Sequence, residues 1–267
     1  MKKFFLVLSL ISFLILLLIS CDDTNIKEQK DDCISGVGVI ETQILNLTEF
    51  SSIETNISGK LNIEYVDAPE YSITSYSNLI DSINFSVSDE ILLIESEKCI
   101  DSNDNLIINL KIPILKNLII NGSSDVNFYG FSKIEKINIE INGSGTISNS
   151  ENNEFIDTLV IEQNGSGNVN MNIFSEKIII NSAGSGNIDL DGVATNMIVD
   201  IAGSGTLKSF QLEVENCNIN VVGSGDSQLF VTNTLDINIA GSGDVFYKGG
   251  ASVTTNITGS GKATKTD

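Results

Sequence analysis

The amino-acid sequence predicts an all-β protein whose main part is a parallel β-helix, also called a β-solenoid. The tripeptide Gly-Ser-Gly recurs at intervals of 18 to 22 residues, and an alternating apolar stripe precedes each copy. Self-similarity at about 20 residues is typical of solenoids, in which each repeat forms one coil and buries its apolar face against its neighbours. After a degenerate copy that begins at Gly122, the first glycines of the tripeptides are Gly143, Gly165, Gly184, Gly203, Gly223, Gly241 and Gly259.

The stripe ahead of each tripeptide has the period of a β-strand. The residues two, four and six positions before the first glycine are mostly apolar, and the residue three positions before it is polar. Before Gly203, for example, Val199 and Ile201 flank Asp200. Period-two alternation predicts a strand with one buried face and excludes an amphipathic helix. A second, shorter strand is predicted after each tripeptide.

The Gly-Ser-Gly tripeptide itself is predicted to form the corner between these two strands. Glycine adopts a positive φ without penalty, and its missing side chain allows neighbouring coils to approach closely. We expect both properties at Gly184 and Gly203. Coils of about 20 residues favour a right-handed parallel β-helix over the left-handed hexapeptide type, because the six-residue period of that type is absent.

The N-terminus resembles a bacterial secretory signal. In residues 1–20, Lys2 and Lys3 precede a run of 16 apolar or small residues from Phe4 to Ile19, and the sequence then reads Leu-Ile-Ser immediately before Cys21. This ending resembles a lipobox, so Cys21 is predicted to become the lipidated N-terminus that contacts the lipid bilayer. The alternatives are an ordinary signal peptide or a transmembrane anchor, for which the run is short because a span takes about 20 residues.

The remaining chain is predicted to contain three parts. Residues 21–35 form a lipidated tether, because they are polar and lack an aliphatic period. Residues 36–115 contain strand-like runs without the glycine corner and form an N-terminal β region. Residues 116–267 form the Gly-Ser-Gly solenoid. We expect the N-terminal region to cap the coils, since an open coil would leave an unpaired strand edge.

Composition restricts the function classes. The chain has a net charge of −20, and removal of the two lysines in residues 1–20 makes it −22. A nucleic-acid partner is excluded, because binding to phosphates needs clusters of lysine and arginine. The absence of histidine removes the commonest general base and zinc ligand, and the sequence indicates no cofactor.

The cysteines other than Cys21 leave two alternatives open. Cys217 falls on the apolar stripe and is interpreted as a free core residue. Cys33 and Cys99 lie at the two ends of the N-terminal strand region. In an oxidising envelope they could form a disulfide, and the alternative is two unrelated thiols.

A polar column is predicted just after the corners. Asp125, Asp226 and Asp244 are its carboxylates, and Asn and Thr occupy the equivalent position in other repeats. Such a column of oxygen ligands could bind Ca²⁺ or another ligand weakly. The alternative is turn chemistry, because Asp, Asn and Thr are favoured at such corners.

The sequence also resembles a known family. The run Gly36-x-Gly38-x-Ile40, the following Phe50-x-x-Ile53, and repeats that end in Gly-Ser-Gly-Asp or Gly-Ser-Gly-Asn resemble the putative auto-transporter adhesin family with a head GIN domain. This family is common among envelope proteins of Bacteroidetes-type bacteria. The resemblance implies a β-solenoid, an envelope location and a role in adhesion. It offers no catalytic residues to assign.

Three functions are therefore compatible with the sequence. The first is a non-enzymatic lipoprotein of the bacterial cell envelope, in or on the outer membrane, that binds a glycan or another envelope protein. The second is a polysaccharide-active enzyme on a β-helix, whose carboxylates would have to act without histidine or arginine. The third is an envelope-stress or assembly partner. We expect the first.

Overall fold

The computed structural model describes residues 33–101, 105–149 and 154–267, which contain one short helix and a 19-stranded sheet. The helix is α1 (Ser77–Ile80). The strands are β1 (Ile40–Ile44), β2 (Ser52–Thr55), β3 (Lys60–Tyr65), β4 (Glu70–Tyr76), β5 (Ile83–Ser88), β6 (Ile91–Ser96), β7 (Ile107–Ile112), β8 (Asn117–Ile120), β9 (Asp125–Tyr129), β10 (Lys133–Ile141), β11 (Thr146–Asn149), β12 (Glu154–Gln163), β13 (Asn168–Ser182), β14 (Asn187–Ile201), β15 (Thr206–Val221), β16 (Ser227–Gly241), β17 (Val245–Lys248), β18 (Ser252–Gly259) and β19 (Ala263–Lys265).

Each repeat forms a coil of two strands joined by a Gly-Ser-Gly corner. We term the strands that run into the corners the upstream sheet and the strands that leave them the downstream sheet. β13 to β16 contribute to both sheets, because each continues into the next corner. Successive coils pair in parallel and in register, so Ile178 lies beside Met197 and Met197 beside Cys217. The predicted β-solenoid is confirmed, and the hand of its coil stays a prediction.

A second corner, without glycine, joins the downstream strand to the next upstream strand. In β13 the buried side chains pass from Ser175 to Ile178, and the two residues between them, Glu176 and Lys177, are both exposed. The alternation therefore shifts by one position at this corner. Because of this shift, the apolar side chains of both strands of a coil point into the core.

The core consists of the apolar stripes recognised in the sequence. Ile137, Ile139 and Ile141 of the upstream sheet are fully buried, as are Ile147 and Val169 of the downstream sheet. Burial of such stripes stabilises the stack, because no single coil could remove its apolar face from water.

One position of the stripe is polar and finds partners inside the stack. Gln163 is fully buried, and its amide donates to the Gly167 carbonyl at 2.8 Å. The Ser182 hydroxyl of the next coil donates to the Gln163 side-chain oxygen, also at 2.8 Å. The buried amide is therefore satisfied, which removes most of the cost of its burial.

Antiparallel strands close the N-terminal end of the stack. β5 pairs with β6 at the end of the upstream sheet, and β4, followed by β1, pairs with β7 at the end of the downstream sheet. α1 connects β4 to β5 and buries Leu79 and Ile80. The predicted β-rich cap is confirmed, while the domain limits stay a prediction. Within the described residues, no helix has the length and apolarity needed to cross a membrane.

Near the cap, the coils do not stack in sequence order. β2 pairs with β6 on one side and β8 on the other, and β3 likewise lies between β7 and β9. The coil of β2 and β3 is therefore enclosed between two coils that come later in the chain. Residues 113–116 carry the chain from β7 past this middle coil to β8, and we call them the crossover.

At Gly184 and Gly203 the corner glycine is needed for close approach and not for positive φ. Neither is among the glycines with positive φ, so that part of our expectation is wrong, whereas Gly259, the first glycine of the last tripeptide, has a φ of 126°. A Cβ added to Gly184 would instead overlap the carbonyl oxygen of Gly165 in the preceding coil. The Ser185 N–H donates to that same carbonyl at 3.1 Å. The coils thus keep strand spacing through the corner, which leaves no room for a side chain.

We expect Gly184→Val to lower the free energy of unfolding by about 1–3 kcal/mol, because the new side chain would force neighbouring coils apart. Gly250→Ala is the matched control, since its Cβ would meet the Thr232 carbonyl oxygen at an ordinary 3.7 Å. Urea unfolding followed by circular dichroism measures both variants. If Gly184→Val is as stable as the control, close approach does not explain the glycine.

Candidate functional site

The residues of the predicted polar column occupy equivalent positions in successive coils, but the three carboxylates do not lie together. Asp226 and Asp244 precede the paired residues Ser227 and Val245 in adjacent coils. Asp125 is at the same position, separated from Asp226 by four coils that carry Thr or Asn there. The column therefore offers one pair of adjacent carboxylates.

The side chains of this column bind the backbone of the next coil. Asp226 Oδ1 accepts the backbone N–H of Asp244, and Asp244 Oδ1 accepts that of Lys262, both at 2.8 Å. In residues 33–101, 105–149 and 154–267, no group of three or more carboxylate, thiol or imidazole side chains is placed to hold a metal ion. The oxygens thus have a structural partner, and the calcium hypothesis stays a prediction.

The cysteines are placed in three different ways. Cys33 and Cys99 form a disulfide, with their Cα atoms 4.4 Å apart. Cys217 is a buried free thiol, and its burial, together with nearby Asp236, raises the pKa to about 12. A thiol of this pKa is not a nucleophile at neutral pH. Cys21 lies outside the described residues.

A concave surface lies along the crossover and was not predicted from the sequence. Two adjoining hollows, of about 280 and 470 Å³, share Pro113, Ile114 and Lys116. We call them together the crossover groove. Its other lining residues are Glu49, Phe50, Ser51, Pro69, Tyr71, Glu90, Leu115, Phe131, Lys133, Ile134, Glu135 and Lys136.

The walls of the crossover groove are apolar and well supported. Ile114 is 52% exposed between β7 and β8, although it is a large aliphatic residue. The rings of Phe50 and Tyr71 pack with their centroids 5.2 Å apart. Phe131 contacts Tyr65 edge-on at 5.6 Å. Rigid aromatic walls around an exposed aliphatic side chain are typical of sites that bind apolar groups.

Charged side chains lie along the same groove. Lys116 Nζ lies 3.2 Å from Glu90 Oε2, and the Ser51 hydroxyl donates to the same oxygen at 3.0 Å. The hydrogen bond from Lys116, followed by that from Ser51, holds the pKa of Glu90 below its ordinary value. Lys133 pairs with Asp157 at 3.2 Å. Lys136 has no ion pair with any residue that the structure describes, so its ammonium is available to a ligand.

Glu90 also belongs to a strained turn. Asp89 and Glu90 have φ values of 51° and 61°, and they are the non-glycine residues with positive φ in the described chain. Their turn joins β5 to β6, where a two-residue hairpin requires this conformation. The Glu90 carbonyl accepts the N–H groups of Ser51 and Ser52 at 3.0 and 3.1 Å. Strained residues are often found at functional sites, and here the turn fixes one rim of the crossover groove.

Comparison with known proteins identifies the family of the chain. The family described as "Putative auto-transporter adhesin, head GIN domain" matches residues 49–251, which is more than half of the chain. The chain belongs to this family. The resemblance inferred from the repeats is thereby confirmed. No curated protein sequence matches the chain.

Solved structures of similar fold come from Parabacteroides and Bacteroides species. A protein of Parabacteroides distasonis described as a putative lipid binding protein is 27% identical, with a TM-score of 0.79 over 88% of this chain and 99% of that one. A putative adhesin of Parabacteroides merdae is 23% identical, with a TM-score of 0.79 over 88% and 100%. A putative adhesin of Bacteroides fragilis is 21% identical, with a TM-score of 0.65 over 87% and 100%. The last two show the fold alone, and the head GIN family description is consistent with a non-enzymatic binding role.

We expect Lys116→Met to raise the pKa of Glu90 toward its ordinary value, because Lys116 is the main cause of the lowering. The carboxylate contribution to stability is present above the ordinary pKa and is lost as the pH falls through the lowered one. A carboxyl NMR titration measures Glu90 directly. Lys111→Met, which removes the pair with Glu70 at 3.5 Å, is the control and should leave Glu90 unchanged. An unaltered Glu90 pKa in Lys116→Met would refute this account of the rim.

Proposed function

We propose that this head GIN protein is a lipoprotein of the bacterial cell envelope, in or on the outer membrane, and a non-enzymatic binding module. Its crossover groove binds an amphiphile with an apolar chain and an anionic head group. The observation that carries this proposal is the combination of an exposed Ile114 between apolar hollows with the unpaired ammonium of Lys136 at their rim. Apolar surface beside a few convergent charged groups is a common composition of a small-molecule site.

The charges of the groove support an anionic rather than a cationic head group. The chain is strongly acidic, with a net charge of −20. Three lysines nevertheless line the hollow beside β10, against one carboxylate, that of Glu135. Lys116 and Lys133 have carboxylate partners, whereas Lys136 has none among the described residues. An anionic head group would pair with Lys136, in the hollow where lysines outnumber carboxylates.

Similarity to known proteins and the lipobox resemblance support an apolar chain in the ligand and an envelope location for the protein. The Parabacteroides distasonis relative at 27% identity is described as a putative lipid binding protein. The lipobox resemblance at Cys21 supports anchoring by acyl chains in the envelope, where amphiphiles are the surrounding material. Adhesion to a glycan or an envelope protein would use the faces of the same solenoid.

A binding role is also favoured by how the carboxylates are used. Asp226 and Asp244 are the adjacent pair that an acid–base mechanism would need, and one oxygen of each accepts a backbone N–H of the following coil. An enzyme of this type needs two carboxyl groups whose environments set their pKa values apart. Fixed, repeated backbone contacts favour a structural role for this pair.

Titration calorimetry with dodecyl phosphate, below its micelle concentration, tests the groove. We expect saturable binding that Lys136→Glu weakens by about tenfold or more, through loss of a charge-assisted contact. Ile114→Asn should weaken it as well. Dodecyl maltoside, which has the same chain and no charge, should bind less tightly than the phosphate.

Matched controls lie elsewhere on the upstream sheet. Lys177→Glu changes a lysine at the register position of Lys136 two coils away, and Ile198→Asn changes an aliphatic residue that is 37% exposed. Both should bind dodecyl phosphate like the wild type. Equal losses in the groove and control variants, or equal binding of the two detergents, would refute the amphiphile site.

The anchor is tested separately by Cys21→Ala in the native host. We expect this variant to lose labelled palmitate and to leave the membrane fraction, because the acyl chains would be absent. Cys217→Ala, at a buried thiol, is the control and should keep both the label and the membrane location. Retention of Cys21→Ala in the membrane, with no label on the wild type, would overturn the lipoprotein assignment.

A further inference from the structure

We infer that the outward face of the downstream sheet, in the coils of β14 to β17, is a binding site for a neutral saccharide chain. The site goes beyond the crossover groove and rests on other residues. It is an array of aromatic, amide and charged side chains at consecutive register positions, which we call the aromatic platform. Its members are Asp189, Asp191, Lys208, Phe210, Gln211, Gln228, Phe230, Phe246 and Lys248.

Two columns of paired residues build the aromatic platform. In the first column, Asp189 pairs with Lys208, Lys208 with Gln228, and Gln228 with Phe246. In the second, Asp191 pairs with Gln211, and Phe230 with Lys248. Paired residues of neighbouring coils lie about 4.8 Å apart. The first column therefore crosses four coils without a break, whereas the second is interrupted between β15 and β16, where Phe230 pairs with Glu213.

Three phenylalanines of the platform face away from the core. Phe210, Phe230 and Phe246 are half-buried, whereas the residues that alternate with them, such as Leu229 and Val245, are fully buried. Their rings are only partly covered by neighbouring side chains. Three of them within three consecutive coils indicate a surface that is covered by a ligand.

The lysine of the platform holds two of the rings. Lys248 Nζ lies 4.9 Å from the ring centroid of Phe230 and 5.5 Å from that of Phe210. Each contact is a cation–π interaction, which limits the motion of both rings.

An irregularity of the sheet places Phe210 in this cluster. The register between β15 and β16 shifts between Ser209 and Glu213, and the register between β14 and β15 also shifts, between Asp189 and Asp191. As a result Phe210 and Gln211 are two consecutive residues outside the core. Bulges of this kind redirect side chains and are common next to functional sites.

The chemistry of the platform selects a neutral saccharide. Together with Glu213, the exposed register partner of Phe230, the platform has three carboxylates against two lysines and a net charge of −1, so neither a polyanion nor a polycation is strongly favoured. The face of a paired sheet has no free backbone groups, which excludes recognition by strand addition. The ligand must be bound by ring stacking and side-chain hydrogen bonds. A sugar ring offers an apolar C–H face for the rings and hydroxyl groups for amides, carboxylates and ammonium groups.

Affinity gel electrophoresis with residues 22–267 tests the platform. The gels contain either neutral polysaccharides, namely dextran, laminarin, mannan and xyloglucan, or acidic ones, namely alginate and polygalacturonate. We expect retardation by at least one neutral polysaccharide and by neither acidic one. Phe210→Ala with Phe230→Ala should weaken that retardation at least tenfold. Gln228→Ala, which leaves the rings in place, should weaken it several-fold and guards against loss of folding in the double variant.

Phe155→Ala is the matched control. Phe155 is 37% exposed and has Lys133 Nζ 5.8 Å from its ring centroid, but it lies outside the platform. It should bind like the wild type, and Lys136→Glu in the crossover groove should do so too, which separates this inference from the proposed function. No retardation by any neutral polysaccharide, retardation by the acidic ones alone, or an equal loss in Phe155→Ala would overturn the site.

Discussion

The structure depends on the contact between one Gly-Ser-Gly corner and the next. A Cβ at Gly143 would overlap the Gly122 carbonyl oxygen, and a Cβ at Gly165 would overlap that of Gly143. The same carbonyls accept N–H groups, as Ser144 donates to Gly122 and Ser166 to Gly143, both at 3.1 Å. The parallel ladder thus continues around the corner. Because the corners keep strand spacing, the strands beside them stay in register from coil to coil, and outward positions there form straight columns.

Columns of like side chains follow from this register. Asn121, Asn142 and Asn164 form a ladder in which each amide donates to the oxygen of the preceding asparagine, at 2.8 and 2.9 Å. Such ladders satisfy polar groups without specifying a ligand. Specific sites arise where the repetition fails. The crossover groove exists because the chain passes a coil, and the aromatic platform contains a shifted register.

The sequence was sufficient to predict the repetitive part of the fold and not the exceptions. Alternation such as that of Val199, Asp200 and Ile201 predicted the strands, and the glycine spacing predicted the coils and their close approach, but the positive φ expected at Gly184 and Gly203 was wrong. The insertion of β2 and β3 between later coils depends on long-range pairing, and their corner at residues 56–59 lacks the full tripeptide. Pro113 marks the end of a strand but cannot indicate that the chain then passes another coil.

The crossover groove is lined both by the cap and by the coil beyond the enclosed one. The turn at Asp89 and Glu90 belongs to the antiparallel closure, whereas Lys116 belongs to the first coil beyond the enclosed one. Their ion pair at 3.2 Å is exposed, so alone it contributes little to stability. A ligand in the groove would contact both elements at once, and any ligand that binds only the folded state stabilises it by mass action. Occupancy would therefore tighten the closure at the end of the stack that is nearest in sequence to Cys21.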